Sequence, residues 1–247
     1  MKERTLLYIF IGGGKDRTSV HLKSLGQIRG LNAAGLNAHG YLFTEKVSER
    51  EELYDEITLI PLKRFQQERN LFWNRKRFSL LVDQVRDFLE SEHQNWDIIF
   101  LRHGGNGNSY EALLDLIGYK TFLYVPSNRI RENYCDVKYG NTGSLASRLL
   151  TWLDYALFCK AEKRLMKHYF SKIRSVVAFT PEFAKMLESE SKDPIHVIYN
   201  RDGADTDSVP ARSSRVREGE EIKLIFLKGS ASAQKWSGLE RIIRSIE

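Results

Sequence analysis

Three polar stretches in this sequence each follow an apolar run, and each holds residue types that bind anions or move protons. The first is Gly12-Gly13-Gly14-Lys15, with Arg17 just beyond. Glycines let the backbone turn tightly and let a ligand approach the amides. A helix opening there offers unpaired N–H groups and partial positive charge to a phosphate. Gly12, Gly13 and Gly14 are therefore candidate phosphate-binding positions, with a tight turn that binds nothing as the alternative. The second stretch is Arg102-His103, followed by Gly104, Gly105 and Gly107. His103 is a candidate catalytic residue because imidazole exchanges protons near neutrality. A solvated loop histidine is the alternative. The third is Ser127-Asn128-Arg129, with Arg131 and Glu132 beyond. Arg102, Asn128, Arg129 and Glu132 would share one rim, where arginine suits phosphate or carboxylate. A solvated polar loop explains the third stretch equally well.

Other chemistries lack their residues. The glycine run is neither GxGxxG nor GxxxxGK[ST], so it is no dinucleotide fingerprint and no P-loop. HExxH, GxSxG and an EF-hand acid run are missing. Asp205 and Asp207 alone are too little for a metal site, and no metal is expected. Two cysteines, Cys135 and Cys159, make no disulfide framework and suit a reducing compartment. The net charge of +6 favours an anionic partner without choosing among phosphorylated small molecules, nucleic acid and an acidic membrane face.

These stretches need a scaffold that brings them to one edge. Apolar runs at Thr5–Ile11, Ala38–Phe43, Glu56–Ile60, Asp97–Leu101, Thr121–Val125, Ser175–Phe179 and Ile195–Tyr199 read as strands. Thr18–Ala34, Arg69–Glu92, Ser109–Ile117, Ser144–Phe170 and Pro181–Glu190 read as helices, with Gly35 closing the first. Continuous apolar strands alternating with helices predict an α/β fold, a doubly wound, mostly parallel, Rossmann-like sheet covered on both faces. Ligands of such sheets bind outside the carboxyl ends of the strands, which is where all three stretches fall.

Two helical regions carry extra signals. Lys63, Arg64, Arg69, Arg75, Lys76 and Arg77 interleave with Phe65, Phe72, Trp73 and Phe78. That mixture suits an anionic bilayer surface, and an amphipathic helix with its rings in the core is the alternative. The long helix from Ser144 is expected to pack on the sheet and show a basic outer face. The first apolar run is too short to span a bilayer and no span of about 18 apolar residues occurs elsewhere. The expected location is the cytosol, with peripheral contact at the inner face of a membrane left open.

The last third of the sequence resembles a known family. "VVAFTPEFAKML", "IHVIYNRDGADTDSVP" and "IKLIFLKGSASAQKWSGLERII" are similar to the domain junction of the GT-B glycosyltransferases, most of all the retaining bacterial enzymes of polysaccharide synthesis. Asp202-Gly203-Ala204-Asp205 stands where that family has an N-G-V-D-like hinge element. Gly229 and Lys235 match its G-R-x(4)-K-G spacing, with Ser230 in place of the arginine.

The resemblance implies a Rossmann-like acceptor-side domain over 1–205, a linker over 206–221, and at 222–247 the first strand–helix unit of an incomplete donor-binding domain. It implies transfer of a sugar from a nucleotide sugar to a saccharide or lipid-linked acceptor in cell-envelope polysaccharide synthesis, without an obligatory metal. Lys235 would bind the donor phosphates together with Gly12–Gly14. His103 would lie near the acceptor, with Arg102, Asn128, Arg129 and Glu132 on the acceptor side of the cleft. Lys63, Arg64, Arg75, Lys76 and Arg77 would meet an anionic membrane. Because most of the donor-binding half lies beyond this sequence, the resemblance leaves its activity alone open. The alternative is a non-catalytic Rossmann-like module that binds a phosphorylated or saccharide ligand. Specific nucleic-acid binding lacks any recognisable motif.

Overall fold

The computed structural model describes residues 4–12, 18–44, 55–63, 71–104, 110–126, 128–140 and 144–199. The chain divides into two compact units, 1–128 with 156–203 and 129–155 with 204–247.

The first unit is built on a seven-stranded sheet, every neighbouring pair parallel. Its strands are β1 (Thr5–Gly12), β2 (Asn37–Thr44), β3 (Ile57–Pro61), β4 (Ile98–Arg102), β5 (Thr121–Val125), β6 (Ser175–Ala178) and β7 (Val197–Tyr199). Their spatial order is β3-β2-β1-β4-β5-β6-β7. Among the described residues four α-helices belong wholly to this unit: α1 (Thr18–Ala33), α2 (Leu71–Glu92), α3 (Glu111–Ile117) and α6 (Pro181–Glu190). Two more, α4 (Arg129–Gly140) and the first part of α5 (Leu145–Tyr169), lie in the second unit.

Burial follows position in the sheet. Central β1 buries Leu6, Leu7, Tyr8 and Ile9 in succession, and β6 buries all four of its residues. Consecutive residues point to opposite faces, so an unbroken apolar run means that both faces are covered. The outer strands β3 and β7 are only half-buried.

Local signals set the boundaries. Gly35, at φ 86°, takes the left-handed turn after α1 that other residues avoid. The Leu36 N–H then reaches back to the Leu31 carbonyl, closing the helix end. At α6, Thr180 Oγ1 accepts from the Phe183 N–H at 3.1 Å and Pro181 occupies the first turn. The starts of β1 and β4 are clasped together. The Thr5 N–H and hydroxyl both donate to Asp97 Oδ2, at 3.0 and 3.1 Å, and the Asp97 N–H donates to the Thr5 carbonyl at 3.2 Å.

Two elements differ from the sequence expectation. Residues read as a polar loop after β5 form α4, in the second unit. Its apolar residues Ile130, Tyr134 and Val137 make a narrow stripe among charges, too weak for periodicity to reveal. The stripe is used: Tyr134 packs edge-on against Trp152 and at a tilt against Tyr155 of α5, and the Tyr155 hydroxyl donates to the Ile130 carbonyl. The second difference is in α5. Its later turns bury Phe158, Ala161, Glu162, Leu165 and Met166, as a helix packed on a sheet does. Its early turns leave Leu145, Leu149, Leu150 and Leu153 exposed, Leu145 at 85%. The expected basic outer face is present at Arg148, Lys160, Lys163, Arg164 and Lys167, all exposed, and the first half adds unanticipated exposed leucines.

Candidate functional site

The sheet order reverses between β1 and β4: the chain builds outward from β1 to β3, then returns to β1's other side and continues to β7. Loops leaving adjacent strands at such a reversal diverge to opposite faces and leave a crevice between them. β1 ends at Gly12 and β4 at Arg102, so Gly12 and the Arg102-His103-Gly104 segment leave neighbouring strands here. Gly104 confirms the closeness. A Cβ built on it would stand 4.0 Å from the Ile11 carbonyl oxygen.

Arg102 and His103 leave β4 in different surroundings. Arg102 lies over the Tyr124 ring, its guanidinium carbon 5.2 Å from the centroid. Tyr124 continues an aromatic row through Phe100 to Tyr8. The Nη1 group of Arg102 is buried with no hydrogen-bond partner among the described residues. Guanidinium keeps its charge under all ordinary conditions, so this strand end holds a fixed cation with a donor to spare.

His103 is 1% exposed. Its backbone N–H donates to the Tyr124 carbonyl at 2.9 Å, extending the β4–β5 ladder by one bond. Its ring packs edge-on against Tyr110, centroids 5.0 Å apart. The Tyr110 hydroxyl accepts from the Gly104 N–H at 3.1 Å, tying the loop's first glycine to the start of α3. Nε2 of His103 lies 2.9 Å from Glu162 Oε2 on α5, and Glu162 is itself only 6% exposed. Nδ1 is buried without a partner among the described residues.

Gly12 closes β1 opposite Thr44 of β2. Gly13 and Gly14 lie outside the described residues, as do Lys235, Asp202, Gly203, Asp205 and Arg64. Asn128 Nδ2 is 3.2 Å from Met186 Sδ, between the end of β5 and α6. Arg129 and Glu132 stand in the first turn of α4, in the second unit. Lys63 is exposed just after β3, and Arg75, Lys76 and Arg77 fall within α2. Among the described residues no cluster of His, Cys, Asp or Glu has the makings of a metal site, and no helix is long and apolar enough to cross a membrane.

Glu162 and Tyr110 escaped the sequence reading. Glu162 did leave a trace. It sits at the centre of the buried stripe Phe158, Ala161, Glu162, Leu165, Met166, a carboxylate where the helix period demands an apolar residue. Buried carboxylates need partners, and such a break in pattern marks one.

The strand end thus offers a spare cationic donor and a spare imidazole nitrogen, beside an adjoining strand that ends in Gly12. That set suits a ligand with anionic groups and hydroxyls. No family model and no curated sequence matches this chain. Solved structures do resemble it. UGT2 of Phytolacca americana, complexed with UDP-2fluoro-glucose and pterostilbene, aligns at TM-score 0.50 and 11% identity over 83% of this chain and 55% of its own. Sucrose-phosphate synthase from Thermosynechococcus elongatus aligns at TM-score 0.47 and 13% identity, over 83% of this chain and 93% of that one. UGT71G1 of Medicago truncatula, complexed with UDP-glucose, gives 0.44 and 11%, over 79% of this chain and 51% of that one. The chain spans about half the length of the plant UGT2 it matches. What the likeness shows is the fold: this chain has a parallel, Rossmann-like α/β sheet similar to that of Phytolacca americana UGT2.

Proposed function

We propose that this chain is the acceptor-side part of a GT-B glycosyltransferase that moves a sugar from a nucleotide sugar to a saccharide or lipid-linked acceptor. One observation carries the proposal: the end of β1 and the Arg102-His103-Gly104 segment at the end of β4 adjoin at the reversal point of the sheet. Sugar transfer needs a departing diphosphate stabilised and an acceptor hydroxyl oriented. In this reading amides of Gly12, Gly13 and Gly14 and of the start of α1, which follows them in the sequence, suit the anion. The imidazole of His103 suits a hydroxyl. In this reading Lys235 contributes charge to the diphosphate and no metal is obligatory. The junction motifs at Asp202-Gly203-Ala204-Asp205 and Gly229–Lys235 favour a retaining enzyme of cell-envelope polysaccharide synthesis. Lys63, Arg64, Arg75, Lys76 and Arg77 would hold it to an anionic membrane surface. Charge reversal at the last three should then abolish co-sedimentation with vesicles containing anionic lipid, and unchanged sedimentation removes the membrane role.

The test is titration with UDP-glucose, other UDP- and GDP-sugars, and oligosaccharides, followed through the amide resonances of the protein. Shifts concentrated at Gly12, Arg102, His103 and Gly104 are expected. A ligand-independent spectrum across the whole panel overturns the proposal. Release of nucleoside diphosphate, measured alongside, separates an enzyme from a module that only binds.

A further inference from the structure

We propose that Glu162 is a positioning residue that fixes His103 in one tautomer, proton on Nε2, so that the bare Nδ1 nitrogen is the acceptor offered to a ligand hydroxyl. The proposal deepens the glycosyltransferase reading and rests on it for the identity of the ligand, though not for the state of the ring. An ionised carboxylate only accepts hydrogen bonds. Glu162 Oε2 lies 2.9 Å from Nε2, so with Glu162 ionised Nε2 is the donor. A neutral imidazole with its proton on Nε2 carries its lone pair on Nδ1. That atom is buried and has no partner among the described residues.

The chain supplies its own comparison. His93 is buried too, and both its nitrogens are engaged: Nδ1 with the Leu89 carbonyl at 2.8 Å and Nε2 with Gln94 Nε2 at 2.7 Å. Those contacts lie within four residues and hold the end of α2, as a structural histidine does. His103 instead is held from one side, by a carboxylate 59 residues away on another helix, with the other nitrogen left over. Tyr110 prevents the ring from turning away, packing edge-on at 5.0 Å and anchored in turn to the Gly104 N–H. A packing role would be served by any apolar side chain at 162. A carboxylate there costs desolvation, which a purely structural contact has no need to incur. Orientation of an imidazole by a carboxylate behind it is the recurrent way proteins fix which nitrogen faces a ligand.

The deciding measurement is nitrogen NMR of the His103 ring in the full chain at a pH where the ring is neutral. A pyrrole-type Nε2 and a pyridine-type Nδ1 are expected. Proton occupancy of Nδ1 overturns the proposal. Glu162→Gln, nearly the same size, removes the charge, and the ring should then show a mixture of tautomers. An unchanged ring in that variant also overturns the proposal. If Glu162→Gln fails to fold, the wild-type ring still decides it. Titration with maltotriose and with UDP-glucose gives the functional arm. Binding should shift Nδ1, and Glu162→Gln should weaken that binding about tenfold. If neither probe shifts Nδ1 while the tautomer is as expected, the ligand reading fails and the positioning role of Glu162 stands.

Discussion

Gly40 sits in the middle of β2, opposite Tyr8 of β1 and Ile57 of β3. A Cβ at this position would stand 2.6 Å from Ile28 Cδ1, 3.3 Å from Ile57 Cγ1 and 3.5 Å from the Glu56 carbonyl oxygen. Carbon atoms rest about 3.5–4.0 Å apart, so Gly40→Ala drives a methyl roughly 1 Å into Ile28. Ile28 is fully buried in the cluster formed with Leu6, Tyr8, Ala38 and Ile98, and its Cδ1 can give way toward the small cavity it lines with Tyr8, Ser24 and Gly40 only by losing some of its present contacts. Overpacking of this kind costs about 1–3 kcal/mol. Restricting the unfolded chain returns about 0.4–1 kcal/mol. Gly40→Ala should therefore lose about 1–2 kcal/mol net. Ile28→Val removes the clashing atom and alone should cost about 0.5–1.5 kcal/mol. In the double variant the new methyl occupies the space that Cδ1 vacates, so the combined loss should fall short of the sum by about 1 kcal/mol. Urea unfolding of the four proteins gives the cycle from the shift in midpoint at constant m. A neutral Gly40→Ala, or a cycle additive within about 0.5 kcal/mol, refutes the packing described for this side of the sheet.

Thr180→Ala removes the acceptor that the Phe183 N–H uses at the start of α6 and should cost about 1 kcal/mol in the same assay, with Thr180→Ser recovering most of it. His39 supplies a pH dependence. Burial of the ring holds its pKa below the ordinary 6.5, partly offset by the nearby Glu56 carboxylate. The unfolded state then takes up the proton first. Stability contributed by the neutral ring is complete above 6.5 and is lost as pH falls below it through the folded value. Melting temperature should drop over that interval, and His39→Gln should flatten the drop; an equal drop in the variant excludes His39 as its source.

Strand identity was legible in the sequence because β1, β4, β5 and β6 are covered on both faces and are apolar at nearly every position, with Thr121 and Ser175 as buried polar exceptions. Gly35 and Thr180 were legible because their backbone roles admit few residue types. The strand order was legible only as a type, since no local signal says that Leu6 lies beside Ile98. α4 was hidden because its contacts are three aromatic rings brought together from two helices. His103 was found as a residue type at a strand end. Its burial and its pairing with Glu162 are properties of three-dimensional neighbours, and spacing along the chain carries neither.

The clasp between Thr5 and Asp97 has a consequence during synthesis. These residues join the two strands flanking the crevice, yet 92 positions separate them. A nascent chain can close β1 on β2 early, but β1's other edge stays open until Asp97 and β4 have emerged. Closing so long a loop before any local reward slows folding and prolongs exposure of a fully apolar strand. The crevice therefore cannot begin to form until β4 has emerged, and slowing translation just before Asp97 would lengthen the interval in which β1 is open to wrong partners.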